Sequence, residues 1–273
     1  MQPPKNELMH LYFEKKLTQQ QIADLYQVHK STVQKWFQDY GLETIERWER
    51  LTIPTVLTDE QKSILIGSLL GDGCLPKTKG SNSYFVFSQD RKQAGYVRWL
   101  ANKFKYWLTP KGVTFYTWRT SRIGNKVYVQ HVVTFETIRH PVFTELRNWF
   151  YLDTGKKIVP FKIEESLTPL SIAVWFMDNG SQRKISTYNF TFFEVEILQS
   201  ILKTKFDVDS EILKFKLNGK VFPELHILSH ERFFHLIAPV VMKIPSMIYK
   251  IPKSYRTFGS PETIRLPLTN TVK

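Results

Sequence analysis

Asp72 closes one apolar run, LIGSLLGDG at 65–73, and Asp178-Asn179 close another, IAVWFMDNG at 172–180. Both runs read as buried helices. A carboxylate at the carbonyl end of a helix meets partial negative charge, so something else must favour it there. One answer is a bound cation; the other is a solvated cap before a glycine turn. Two such helices packed side by side would bring their terminal oxygens to one place, where they could hold divalent ions beside a phosphate. Gly67 and Gly71 leave one helical ridge bare for a close partner, and Ala173 gives a smaller allowance in the second run.

Other chemistries find less support. The seven His show no ligand spacing, and His140 and His230 stand just before helices, where they suit capping. Cys74 is the single cysteine, so no internal disulfide can form. LLGDG lacks the Lys-Ser/Thr of a phosphate loop, and no glycine-rich nucleotide fingerprint occurs. The N-terminus has no secretory core and no apolar run reaches membrane-spanning length, which predicts an intracellular protein without a membrane partner.

Charge points to a polyanion. The formal net charge is +13, yet residues 1–57 balance seven Lys/Arg against seven Asp/Glu, so the whole excess lies in 58–273.

The elements that must position the acids fall into three pieces. Residues 1–50 carry a short helix NELMHLYFEKK, a second helix capped by Thr18 with Gln21 in a capping box, and a third, STVQKWFQDY, starting near Ser31 and stopped by Gly41. This pattern reads as a helix-turn-helix, with Lys30, Thr32, Gln34, Lys35 and Gln38 on the exposed face of the last helix for DNA contact. Residues 51–57 form a linker broken at Ile53-Pro54.

Residues 58–160 then offer a Thr58-capped helix, a strand in NSYFVFSQ, a basic amphipathic helix RKQAGYVRWLANKFKYWL, a hairpin of VTFYTWRT and KVYVQHVVTF, and a helix HPVFTELRNWFY. Residues 161–255 repeat that order: TPLSIAVWFMDNG, the strand KISTYNF, the helix TFFEVEILQSILKTKF, a hairpin about Asn218-Gly219, and the helix HERFFHLIAPVV. Residues 256–273 read as an irregular tail.

LIGSLLGDG, IAVWFMDNG, LTPLSIAVWFMD, ISTYNFTFFEVEIL and IPSMIYKIP, in this order and spacing, resemble the LAGLIDADG homing endonucleases, double-motif subgroup. The resemblance covers roughly 58–255. It implies an α+β fold, a saddle of two pseudo-two-fold αββαββα repeats over the DNA major groove, acting as a monomer on double-stranded DNA. It implies double-strand cleavage with Mg²⁺, for which Mn²⁺ or Ca²⁺ can substitute. By the resemblance, Asp72 is the acid of the first motif and Asn179 stands where the second acid is expected. Gly71 and Asp178 lie beside them in the implied metal site, and Lys157 and Lys250 match a lysine near each reaction centre. Gln89 and Gln182 are candidates for holding water.

DNA contact is expected from Tyr116, Trp118, Arg119, Arg122, Asn125 and Lys126 in the first half. In the second half it is expected from Lys184, Ser186, Tyr188, Lys214, Lys216 and Lys220. The neutral Asn179 leaves three readings open: a substitution that traps an uncut complex, a natural loss with a DNA-binding or group I intron RNA maturase role, or a shift of Asp178 into place. The expected compartment is a bacterial or phage cytoplasm, or an organelle matrix with its genome.

Overall fold

The computed structural model describes residues 2–45, 53–77, 81–123, 126–217 and 219–259, with backbone alone at 118–123, 126–128, 217 and 257–259. The chain divides into two compact units, Met1–Ile53 and Pro54–Lys273.

In the first unit, α1 (Lys5–Met9) runs into a π-helical turn, His10–Glu14, followed by α2 (Gln19–Leu25) and α3 (Lys30–Asp39). The Thr18–Gln21 capping box forms. The third helix starts before Ser31: His29 is its cap, its ring Nδ1 accepting from the Ser31 amide at 3.3 Å. Gly41, at φ +60°, closes α3 with the Gly41 N–H on Gln38 O and the Leu42 N–H on Phe37 O, a Schellman stop. Leu8, Tyr12, Ile22, Ala23, Val33, Trp36 and Phe37 make the core. Opposite them Lys30, Gln34, Lys35 and Gln38 are exposed and Thr32 is half-buried.

The second unit mixes helices with antiparallel sheets. Its first half runs α4 (Asp59–Leu70), β1 (Val86–Asp90), α5 (Ala94–Lys103), β2 (Thr114–Ile123), β3 (Lys126–Glu136) and α6 (Pro141–Phe150). Its second half runs α7 (Pro169–Asn179), β4 (Gly180–Ser181), β5 (Lys184–Ser186), α8 (Phe192–Phe206), β6 (Ser210–Leu217), β7 (Lys220–Ile227) and α9 (His230–Val241). The sheets are ordered β1-β3-β2 and β4-β5-β7-β6. Thr58 and Thr168 cap the two motif helices through matching capping boxes.

Two expectations need correction. The second half follows αββαββα, but among the described residues the first has three strands. Where its first strand is expected, a single bridge joins Cys74 to Val86. The ladder stops there because side chains take the backbone of the next residue: the Tyr151 hydroxyl accepts from Leu75 N, and Arg147 donates to Leu75 O. The strand KISTYNF is short for a similar reason. It leaves the sheet after Ser186, as Thr187 donates its hydroxyl to Pro223 O and the chain turns toward the Thr191 cap of α8.

Register assigns the faces. Phe87, Val133 and Phe135 share the covered face of the first sheet, and Ile185, Leu225 and Ile227 that of the second. Ser88, Asp90 and Tyr116 lie on the opposite, open face of the first; Lys184, Ser186, Glu211 and Leu213 on that of the second.

Candidate metal centre and nucleic-acid interface

α4 and α7 pack against each other. The crossing is possible because Gly67 has no side chain: a Cβ there would lie 2.8 Å from the Val174 Cβ and closer still to Ser171 O. One turn on, a Cβ at Gly71 would meet the Asp178 Cβ and Oδ2 at 2.5 Å. The helix ends therefore converge, as the small-residue ridge predicts.

At that convergence Asp72 is exposed, and its Oδ1 accepts from Asn179 Nδ2 at 3.3 Å. Its Oδ2 accepts a close contact from Gln89 Nε2. Asn179 Oδ1 is buried and has no hydrogen-bond partner. Asp178 is arranged differently. Its Oδ1 accepts from the Tyr96 hydroxyl at 2.7 Å and its Oδ2 from the Asp72 amide at 3.2 Å. Burial, then the charge of Asp72, pushes the Asp178 carboxyl well above its usual range, against the pull of those two bonds. Burial and Asp178 likewise push the Tyr96 phenol up.

The two lysines occupy matching places. Lys157 Nζ donates to Gly71 O (3.1 Å) and Gly73 O (2.7 Å) at the end of α4. Lys250 Nζ donates to Phe176 O, Met177 O and Asp178 O at the end of α7. Each satisfies orphan carbonyls at a helix C-terminus, where cations are favoured. Burial pulls both ammonium groups below their ordinary value; Cys74, Asp178 and Asp72 oppose it at Lys157, and the two acids at Lys250.

A family model described as the LAGLIDADG DNA endonuclease family matches residues 62–231. The chain belongs to that family. A probable intron-encoded endonuclease 1 of Wickerhamomyces canadensis is 32% identical over 212 residues, 72% of this chain and 86% of its own length. A cytochrome b mRNA maturase bI2 of Debaryomyces hansenii is 29% identical over 225 residues, 76% of this chain and 79% of its own. Among solved structures, the homing endonuclease I-WcaI bound to its DNA recognition sequence matches with a TM-score of 0.62 at 26% identity, over 80% of this chain and 92% of that one.

For a LAGLIDADG chain the metal question is which oxygens stand ready. No cluster of three His, Cys, Asp or Glu occurs among the described residues. What the helix ends offer is the exposed Asp72 carboxylate and the unpartnered Asn179 amide oxygen. Two hard oxygen donors fit a divalent ion that draws its remaining ligands from phosphate and water.

The expected DNA contacts divide. Tyr116 is 45% exposed on the open face of the first sheet. Trp118, Arg119, Arg122 and Lys126 are placed by backbone only, and Asn125 lies outside the described residues. In the second sheet Lys184, Ser186 and Tyr188 gather around Glu224. Lys184 Nζ is 3.2 Å from Glu224 Oε1, Tyr188 donates to the same oxygen at 2.8 Å, and His226 Nε2 lies 2.8 Å from Oε2. Lys220, opposite Leu217, keeps the parity of that open face. Lys214 and Lys216, though exposed, share the parity of the covered-face Ile212.

Gln182, at φ +56°, lines an open groove of about 1040 Å³ with Lys184, His226, Tyr249 and Lys250. Tyr96, Glu224 and His226 are the residues sequence reasoning missed. Tyr96 sits on the apolar face of a basic helix, where nothing local marks a partner. His226 could have been found by counting back from the Asn218-Gly219 turn, which sets it opposite Glu211.

Proposed function

We propose that this chain binds long double-stranded DNA as a monomer through the open faces of its two sheets, and that its phosphodiester-hydrolysing centre at Asp72 and Asn179 is impaired. The observation that carries this is the contact between the two motif ends: Asp72 brings a full carboxylate, while Asn179 brings a neutral oxygen without a partner. The DNA-bound relative I-WcaI supports the duplex as partner.

A divalent ion, Mg²⁺ foremost, would be held by Asp72 and Asn179; when bound it supplies a Lewis acid and lowers the pKa of attacking water. The chain's own groups do the rest. Gln89 orients the Asp72 carboxylate. Asp178 has both oxygens engaged: Oδ1 is held by Tyr96 and Oδ2 fixes the Asp72 backbone directly, so its role is to brace rather than to ligate. Lys157 and Lys250 hold the helix ends and bring positive charge near the phosphates. Gly71 gives Asp178 its space. Lys184, Ser186, Tyr188 and Lys220, with Tyr116 and the β2–β3 ribbon, contact the duplex; Lys214 and Lys216 suit flanking phosphates.

The 1–50 segment extends the footprint as a helix-turn-helix through Lys30, Thr32, Gln34, Lys35 and Gln38, and its deletion should shorten protection at one end. No helix among the described residues is long and apolar enough to cross a membrane. The intron-encoded and cytochrome b maturase relatives favour an organelle matrix as the compartment.

The test begins with selection of a binding duplex from a random library, each strand then labelled separately. The protein as it stands should bind without efficient double-strand cleavage. Asn179→Asp should raise cleavage in Mg²⁺ by about tenfold to a hundredfold or more, the range seen even for groups one step removed from a metal. Asp72→Ala should then abolish cutting while leaving most phosphate-based binding. Fast cutting of both strands by the Asn179 protein would overturn the reading. No cutting after Asn179→Asp would favour the second reading, a binding protein or intron RNA maturase, which the maturase relatives and Asn179 itself support.

A further inference from the structure

α5 and α8 hold matching places in the two halves, and their charges differ. From Arg91 to Trp107 the chain has five Lys/Arg and no acid. α8 balances Glu194 and Glu196 against Lys203 and Lys205. Lys103 is taken up by Glu60 at 2.6 Å. Arg91, Lys92, Arg98 and Lys105 are exposed and make no ion pair among the described residues.

Aromatic faces accompany these cations. Arg91 and Arg98 lie over the Phe115 ring, 5.6 and 5.5 Å from its centre, and Lys105 is 4.8 Å from that of Tyr106. Phe115 is 44% exposed and Tyr106 63%.

This surface faces away from the open sheet. α5 turns Tyr96 inward against Phe87, with ring centres 5.5 Å apart, on the covered face. Phe115 shares that face's parity, opposite Val133. A duplex on the open face would leave these groups in solvent, and pseudo-symmetric duplex binding gives no reason for a charge on one half only.

We propose that the Arg91–Arg98–Phe115 cluster, with Lys105 and Tyr106 further along the same basic stretch, is a second nucleic-acid site that takes an unpaired stretch of RNA. The cations meet phosphates, while the aromatic rings and guanidinium planes receive unstacked bases. A duplex keeps its bases stacked inside and cannot use the rings. RNA supplies such unstacked bases in its loops, bulges and ends, where a regular duplex does not. The proposal goes beyond the duplex-binding reading and does not depend on the metal centre.

The full chain, saturated with unlabelled duplex DNA, is titrated into a fluorescein-labelled oligouridylate and followed by anisotropy. Binding should persist under the duplex. Arg98→Glu with Lys105→Glu should weaken it by about tenfold or more and leave duplex affinity within about twofold. Tyr106→Ala, which keeps every charge, should weaken it by about fivefold or more. Glutamine at 98 and 105 serves where the glutamates unfold the chain, judged by thermal melting. The proposal is overturned if duplex displaces the RNA, if the variants lose RNA and duplex in parallel, or if oligothymidylate binds as tightly as oligouridylate. A failure of cleavage by Asn179→Asp would leave all these readings intact.

Discussion

Gly71 and Asp178 stand at matching positions, one residue before Asp72 and Asn179 respectively, and the two positions could not both carry a side chain. A Cβ on Gly71 would fall 2.5 Å from the Asp178 Cβ. Near a pseudo-two-fold axis, two equal halves compete for the same volume. Here one half yields it, and the other fills it with a carboxylate that braces its neighbour's backbone at Asp72 N. The halves agree in the Thr58 and Thr168 caps and differ at Gly71 and Asp178, where they meet.

The largest break expected in that comparison is Gly67→Leu. It drives a branched side chain into Ser171 O and Val174, and should cost about 3 kcal/mol or more in urea unfolding. Gly71→Ala is the milder probe. It should cost about 2 kcal/mol, and adding Asp178→Gly should recover more than half, because the space is shared rather than additive.

Glu224→Gln probes a cluster that, among the described residues, belongs to the second sheet. Burial raises the Glu224 carboxyl, but His226, Tyr188 and Lys184 outweigh it and hold the group below its usual 4.5. A carboxyl depressed by folding contributes stability that is fully present above the unfolded value and lost as pH falls through the folded one. The variant should thus lose about 1–2 kcal/mol at neutral pH, with the difference from the parent vanishing as unfolding is measured below pH 4.5.

The smallest effects test agreement. Thr58→Ala and Thr168→Ala should each cost about 1 kcal/mol by urea unfolding, since both caps make the same bonds. Unequal costs would show that the halves diverge even in their local starts.

The sequence by itself determined what rests on neighbouring residues. Thr18, Thr58 and Thr168 announce helix starts through bonds spanning three residues, and Gly41 announces a stop because its φ of +60° suits a residue without Cβ. Asn218-Gly219 announces the β6–β7 hairpin, whose strands run 210–217 and 220–227 on either side of it. The order of motif helix, strand, helix, hairpin and helix is legible twice over, and with it Asp72 and Asn179 as a meeting pair.

Tertiary structure decided what depends on groups far apart in the chain. Tyr96 finds Asp178 across 82 residues, and Arg147 and Tyr151 take the Leu75 backbone from 72 and 76 residues away, ending a strand that local pattern allowed. The partners of Asp178, open in sequence, are set by packing: Tyr96 and the Asp72 amide reach its two oxygens. A cap or turn is encoded by the few residues that form it; the partner of a buried polar side chain is fixed only when packing brings two distant surfaces into register.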